Sequence, residues 1–454
     1  VSKEPLPHKG KTDEPSKDGP RLAVIAGVHL HGEDQATVAE DLDELEQLLK
    51  TLSIRAAGRV VQRRDKYSPK TLIGEGKVEE IKALAQSLGA NLVVFDRPLA
   101  APQVRNLEAM TGCEVLDRTG IILEIFARHA RTGAAKTQVE IARLEYQLPR
   151  LTGQWTHLER QRGGGVQRGM GEKQIEVDRR LARERISRLK KQLEGLRMDR
   201  VNQRKARVSE LKVALVGYTN SGKTSLMGAM TRASVPGEDV LFATLDASVR
   251  MLDPTTRPKI LMSDTVGFIR NLPHGLVESF RSTLDEVLEA DLLLHVVDVA
   301  HPSFRVQMET TERVLREIGA GDIPTVLVFN KVDRLSDPVL LKILKSAYRN
   351  CVFVSAMSED DMVKLRRHVI KYFEENLVRA RLEVPADDQT TLSIIYKSCL
   401  ILETDFSVQD KARFSVRATP AVLARLHAFV VDVDVEGQGQ GRGNAEGDGK
   451  RWGS

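Results

Sequence analysis

Cysteine, aromatic residues and long apolar runs are all scarce in this chain. The three cysteines, Cys113, Cys351 and Cys399, lie far apart with no C-x-x-C pair or histidine cluster beside them. That spacing argues against a disulfide framework or a structural zinc site and fits a reducing compartment. Phe, Trp and Tyr together make up 4% of the residues, too few for a surface that reads single-stranded bases by stacking. The longest apolar stretches, such as Leu292 to Ala300, contain a His and an Asp, so no membrane-spanning helix is expected. Residues 1–20 mix Lys, Asp, Glu and Pro with almost no apolar side chain. They resemble neither a secretory leader nor a transit peptide and are read as a disordered lead-in; Val1 in place of an initiator Met leaves a removed targeting segment open.

The charge that is present is unevenly placed. Net charge is +5, yet residues 128–210 hold 21 Lys or Arg against 10 Asp or Glu, so that segment carries +11 and the remainder −6. A localised basic stretch predicts a polyanionic partner, whereas an evenly basic chain would predict only solubility. With 454 residues, 41% hydrophobic and 29% charged, the chain has material for about two to four domains.

From Arg21, short apolar runs alternate with helix-compatible stretches. They are Leu22 to Val28, Gln35 to Leu52, Ile54 to Gln62, Val78 to Ser87, Leu92 to Phe95, Ala101 to Thr111 and Glu114 to Leu116. The alternation predicts an N-terminal α/β subdomain over 21–130. Its turn Gly74-Glu75-Gly76-Lys77 lacks the six-residue frame of a phosphate loop and is read as a tight turn.

Residues 131–210 change character. Ile141, Leu144, Leu148, Leu151, Trp155 and Leu158 are spaced by threes and fours, as are Ala182, Ile186, Leu189, Leu193 and Leu196. Two such stripes predict an antiparallel helical hairpin, its first helix interrupted at Pro149. The tip, from Arg160 to Gly171, holds five glycines in twelve residues and cannot continue either helix. Two readings of it stand side by side. One is a solvated connection; the other is an RNA-contacting finger in which Arg160, Arg162 and Arg168 meet phosphates while Gly163, Gly164 and Gly165 let backbone come close.

Beyond Leu211, strands are predicted at Val213 to Val216, Ile260 to Ser263, Leu292 to Val297, Thr325 to Phe329 and Val352 to Val354. Helical stretches separate them, as a doubly wound, mostly parallel sheet over 211–378 requires. A small α+β domain over 379–435 follows, with strand-like Thr391 to Tyr396, Ser398 to Leu402 and Ala412 to Arg417 and helix-like Ala421 to Phe429. Residues 436–454, rich in Gly and Gln, are expected to form a disordered tail. The fold class is therefore α/β and multidomain.

The chemistry concentrates in the third of these regions. Gly217-Tyr218-Thr219-Asn220-Ser221-Gly222-Lys223-Thr224, with Ser225 behind it, is a complete GxxxxGK[ST] phosphate loop between an apolar strand and a helical run. Its amides can wrap a triphosphate, Lys223 can bridge the β- and γ-phosphates, and the Thr224 hydroxyl can ligate Mg²⁺. Asp264-Thr265-Val266-Gly267 closes the next strand 41 residues after Lys223, placing a carboxylate for the metal and the Gly267 amide for the γ-phosphate. Thr244, within Phe242 to Asp246, is the candidate switch threonine that completes the Mg²⁺ shell; an ordinary strand entry is the alternative. Asn330-Lys331-Val332-Asp333 comes 66 residues after Asp264. The Asp333 carboxylate can accept both guanine N1 and N2 protons, whereas adenine presents an acceptor there, which selects GTP over ATP. Ser355-Ala356 is placed to offer an amide to guanine O6. Phe268 stands where many GTPases put a water-orienting glutamine, so slow intrinsic hydrolysis is expected unless a partner positions the water.

These residues resemble the HflX family of ribosome-associated GTPases. The resemblance runs from about Arg21 to Phe429. It rests on Leu72 to Lys77, Arg105 to Glu108, Asp117-Arg118-Thr119 with Ile121 to Ala130, the Gly163 to Gly171 loop, Gly217 to Asn220, Asp264 to Phe268, and Leu272-Pro273-His274 leading to Ser282-Thr283-Leu284. Ser221 stands where the family usually has Ala, and Thr224-Ser225 reverses the usual order, though both keep a hydroxyl at the metal position. The resemblance implies a cytosolic, partly ribosome-associated GTPase, expected to be monomeric. It would bind the large ribosomal subunit and its RNA, direct the hairpin loop to the peptidyl-transferase region and split stalled or idle ribosomes. The rival expectation is an RNA-binding assembly or subunit-silencing factor for which GTP is only a timer. A lipid-anchored signalling GTPase is disfavoured by the ending Arg451-Trp452-Gly453-Ser454, which offers no cysteine.

Overall fold

The computed structural model describes residues 21–150, 168–205, 210–231, 241–242, 244, 248–270, 281–335, 338–348, 350–407 and 410–434. The described residues of 1–130 and 136–190 form one compact unit, and those of 131–135 and 191–454 the other.

The first unit is built on four parallel strands, β1 (Leu22–Leu30), β2 (Arg55–Arg64), β3 (Leu92–Phe95) and β4 (Glu114–Asp117), in the order β2-β1-β3-β4. Four helices follow them in turn: α1 (Gln35–Thr51), α2 (Glu75–Leu88), α3 (Ala101–Thr111) and α4 (Arg118–His129). The central strands β1 and β3 are continuous apolar runs because both of their faces are covered. Val24, Ala26, Val93 and Phe95 pack on Ile81, Ala85 and Leu107 from α2 and α3. Gly27, on the other face, lies against Leu42 of α1, where an added Cβ would sit 3.0 Å from both leucine methyls. Asp34 accepts a bond from the Ala36 amide to start α1, and Gly89, at φ +66°, ends α2 in the left-handed conformation that glycine adopts without strain.

The predicted hairpin helices are α5 (Gly133–Gln147) and α6 (Arg168–Lys205). Helix α5 stops two residues before Pro149, whose ring disfavours helical backbone at the preceding residue. Within the first unit Val139, Ile141 and Ala142 are buried on α5, and Ile186 and Leu189 of the second stripe on α6. Glu140 and Glu145 pair with Arg185 and Lys190, each at 2.9 Å. Residues 151–167, including Arg160, Arg162, Gly163, Gly164 and Gly165, lie outside the described residues, as do the lead-in and the tail.

In the second unit, six strands run in the order β10-β9-β8-β5-β7-β6. They are β5 (Leu211–Gly217), β6 (Ser248–Met251), β7 (Ile260–Asp264), β8 (Leu292–Asp298), β9 (Thr325–Asn330) and β10 (Cys351–Phe353). All are parallel except β6, an unanticipated edge strand antiparallel to β7. Its four residues are half-exposed and carry no buried alternation to reveal it. Helices α7 (Lys223–Met230), α8 (Arg281–Leu288), α9 (Phe304–Glu317), α10 (Pro338–Ala347) and α11 (Glu359–Asn376) accompany the strands.

The C-terminal part of this unit runs β11 (Val378–Pro385), α12 (Gln389–Ser398), β12 (Leu400–Asp405), β13 (Lys411–Ala418), α13 (Pro420–Arg425) and β14 (Val430–Asp434). Its antiparallel sheet order β12-β13-β11-β14 is the split βαβ arrangement. The expected strand at Thr391 to Tyr396 is instead helical. Asp388 caps the helix by accepting from the Thr391 amide, and the buried residues Thr391, Ile395 and Ser398 recur at helical spacing, which overrides the β-branched composition.

Candidate nucleotide site

The site forms where β5 ends. Every residue of this strand but Lys212 is buried, so the turn after it is held at the centre of the sheet. Gly217 (φ +149°) and Gly222 (φ +94°) have no alternative: a Cβ on the first would collide with the Val296 carbonyl and one on the second with the Asn330 side-chain amide. Lys223 opens α7 and is 5% exposed. Its ammonium donates to the carbonyls of Gly217 at 3.0 Å and Tyr218 at 2.7 Å. Burial pushes its pKa down to about 8, with the Lys331 charge adding to the shift and Asp264 opposing it.

Three oxygens meet beside this lysine. Thr224 Oγ1, Thr244 Oγ1 and Asp264 Oδ2 lie 2.8 Å from one another. Asp264 is 1% exposed, and burial raises its pKa against the pull of Lys223 and the two hydroxyls. Among the described residues, its Oδ1, the Thr219 hydroxyl and the Ser221 hydroxyl are buried without a partner. Buried polar atoms are rarely left so unless a ligand or water completes them. An oxygen-only set with a spare carboxylate oxygen fits a hard cation such as Mg²⁺. Thr244, distant in sequence, is thus brought onto Thr224 and Asp264. Ala243, Leu245 and Asp246 lie outside the described residues.

Gly267 sits against the loop so closely that a Cβ would lie 2.8 Å from the Thr219 backbone and 3.0 Å from the Lys223 ammonium. The Phe268 amide donates to Gly217 and its carbonyl accepts from Thr219. Its ring is turned inward, 3% exposed, onto Val216, Leu284, Val287 and Leu293. Position 268 therefore presents no side chain to the phosphate pocket. The Tyr218 hydroxyl accepts from the Arg270 amide at 2.8 Å, a second tie between phosphate loop and switch that its place in the motif does not announce. Residues 271–280, with Leu272, Pro273 and His274, lie outside the described residues.

Asn330 at the end of β9 is fully buried and works within the protein. Its amide nitrogen donates to the Ser221 carbonyl at 2.9 Å, and its oxygen accepts from the Ala356 amide at 3.1 Å. Lys331 donates to the Asn220 carbonyl and pairs with Asp298 at 2.7 Å. Asp333 is exposed in the short turn Val332–Arg334. The Ser355 amide is donated to Asp361 at 3.1 Å, so neither Ser355 nor Ala356 offers a free amide here. Asp361 was not foreseen, although Ser358-Glu359-Asp360-Asp361 spells a helix start, with the Ser358 hydroxyl accepting from the Asp361 amide. Arg168, assigned to the basic tip, falls in the first turn of α6.

Among the described residues, no helix is long and apolar enough to cross a membrane. Three family models cover most of the chain: "GTP-binding GTPase N-terminal" matches residues 39–127, "GTP-binding GTPase Middle Region" 129–207 and "50S ribosome-binding GTPase" 212–331. GTPase HflX of Gluconacetobacter diazotrophicus is 42% identical over 443 residues, covering 89% of this chain and 97% of that one. GTPase HflX of Escherichia coli is 40% identical over 385 residues, covering 83% and 90%. A solved GTP-binding protein from Sulfolobus solfataricus in complex with GDP is 23% identical, covering 77% of this chain and 99% of its own, with a TM-score of 0.42. A mostly parallel sheet carrying a complete GxxxxGK[ST] loop, together with relatives aligned over nearly their whole length, makes this chain a P-loop GTPase and a member of the HflX family.

Proposed function

We propose that this GTPase binds the large ribosomal subunit in its GTP state and separates stalled or idle ribosomes, the ribosome in turn stimulating hydrolysis. The observation that carries this reading is Phe268. The phosphate pocket has its lysine, its hydroxyls and its carboxylate in place, while the side chain at the water-orienting position is buried in the core. A pocket whose lysine, hydroxyls and carboxylate suit phosphate and metal, but whose position 268 offers no water-orienting group, supports a partner that positions the water.

Lys223 holds the β- and γ-phosphates, and the Gly267 amide, pressed against Thr219, senses the γ-phosphate. Bound Mg²⁺, held by Thr224, Thr244 and Asp264, would neutralise charge developing on the phosphate oxygens. Asp333 reads the guanine edge. The basic 128–210 segment meets ribosomal RNA, with Arg160, Arg162, Gly163, Gly164, Gly165 and Arg168 at the contact.

The test is a sucrose-gradient profile of purified 70S ribosomes mixed with the protein and a non-hydrolysable GTP analogue. Conversion to subunits, with the protein on the large one, is expected. Intact 70S particles alongside protein-bound free large subunits would overturn splitting in favour of an assembly or silencing factor.

A further inference from the structure

Asp117 ends β4 and begins α4, and it does more than cap a helix. The residue is 1% exposed and its carboxylate accepts four hydrogen bonds. Oδ1 takes the Gly120 amide at 3.0 Å, which is the cap, and the Tyr146 hydroxyl at 2.8 Å. Oδ2 takes the Leu99 amide at 3.0 Å and the Arg150 guanidinium at 2.8 Å. Two of the four donors therefore come from the last turn of α5 and the residues just after it.

Those two donors are also joined to each other. The Arg150 guanidinium lies 3.4 Å from the Tyr146 ring centroid, donates to the Tyr146 carbonyl at 2.9 Å, and reaches the Leu99 carbonyl at 3.1 Å. A planar fork lying on the ring serves these three acceptors in one fixed geometry, which a compact ammonium does not reproduce. Burial and the Asp117 charge push the Tyr146 hydroxyl well above its ordinary pKa, so it stays a donor. Gly120 is what lets the ring in: a Cβ there would lie 2.7 Å from the Tyr146 oxygen. Arg150 is the last described residue before 151–167.

The α4 cap needs only the Gly120 amide, and α1 to α4 each bury their own apolar side chains, such as Leu45, Ile81, Leu107 and Ile122. The bonds to Tyr146 and Arg150 tie the end of α5 to the end of β4 and, through Leu99, to the loop before α3. We propose that Asp117, Tyr146 and Arg150 form a clamp that fixes the chain at the end of α5, making them positioning residues for the ribosomal contact made by the residues that follow. The clamp stands on geometry; its link to ribosomal RNA rests on the proposed function above. Ordering that point before encounter lowers the entropic cost of binding, so its loss should appear in affinity more than in turnover.

The experiment uses the full chain as Arg150→Lys, which keeps the charge, and Tyr146→Phe, which removes one hydroxyl and keeps the shape. Amide hydrogen exchange is measured first, without ribosomes. Exchange in the second half of α5 should quicken at least tenfold in Arg150→Lys and about threefold in Tyr146→Phe, with β1 and α1 unchanged. Unchanged α5 exchange in both variants overturns the clamp, and a uniform rise across β1 and α1 reduces it to general stability. GTP turnover is then measured against large-subunit concentration. The half-saturating concentration should rise at least tenfold in Arg150→Lys, with saturated turnover and intrinsic hydrolysis within twofold of the parent. Loosened α5 with an unchanged half-saturating concentration overturns the positioning role. A parent protein that ignores large subunits overturns the ribosomal reading instead, while the exchange result still decides the clamp.

Discussion

Among the described residues, Gly74 to Lys77 and Gly217 to Thr224 are both glycine-bearing turns at the start of a helix in an α/β unit, and they differ in what occupies the space in front of that helix. At Gly74-Glu75-Gly76-Lys77, the Gly74 amide is donated to the Gln62 side chain at 2.8 Å, Glu75 pairs with Lys70 and Lys77 with Glu80. A Cβ on Gly74 would meet Arg64 and Gln62, so protein side chains fill the space in front of that helix. At Gly217 to Thr224 the corresponding lysine is held by backbone carbonyls, and among the described residues the hydroxyls of Thr219 and Ser221 with Asp264 Oδ1 find no partner. The topology is shared. What separates a structural turn from a binding loop is whether its polar atoms are already satisfied.

That contrast can be broken by substitution. The largest effect is expected for Gly222→Ala, where the new methyl must displace Asn330 and the backbone is left-handed. GTP affinity should fall about a thousandfold, or about 4 kcal/mol, by nucleotide titration; a loss under tenfold would show that the loop is not rigidly held. Next, Asp333→Asn should weaken GTP by about a hundredfold and favour xanthosine nucleotides. Guanine selectivity that survives this change would remove Asp333 from base recognition.

A smaller effect concerns the floor of the same sheet. His295 on β8 is 1% exposed, and burial, helped by the Lys223 charge, pushes its pKa down to about 4. The folded state thus binds its proton less readily than the unfolded chain does. Stability should be intact above about pH 6.5 and be lost as pH falls from there towards 4, by roughly 3 kcal/mol at most. Urea melts across this range should show His295→Leu with a shallower acid limb than the parent; equal limbs would place the imidazole's proton elsewhere. Smallest is Gly76→Ala, the counterpart of Gly222→Ala. A Cβ on Gly76 meets open space inside a helix, so stability should rise by about 0.5–1 kcal/mol with GTP affinity untouched. A loss of GTP binding would mean that the first turn is also a site.

Much of the nucleotide site was legible because its chemistry is written in short stretches. Gly217 to Thr224, Asp264 to Gly267 and Asn330 to Asp333 each declare themselves by spacing and by the strand they close. Thr244 was legible only as a candidate, and its meeting with Thr224 and Asp264 comes from the fold. That position 268 holds a phenylalanine is plain in the sequence, but that its ring packs with Leu284 and Leu293 depends on where α8 and β8 lie. The strand read at Thr391 to Tyr396 failed because β-branched composition outweighed a buried helical spacing and an aspartate cap two residues upstream of Thr390.

By itself, then, the sequence determined the alternation of apolar runs with helical stretches, the guanine-nucleotide motifs and the concentration of positive charge in residues 128–210, since each is a property of neighbouring residues. The tertiary structure alone decided which polar atoms are satisfied. Asp117 takes its partners from residues 99, 120, 146 and 150, and Asn330 bonds Ser221 and Ala356, far from it in the chain. Hydrogen bonding is directional and short-ranged, so only the folded chain shows which donors reach a given acceptor.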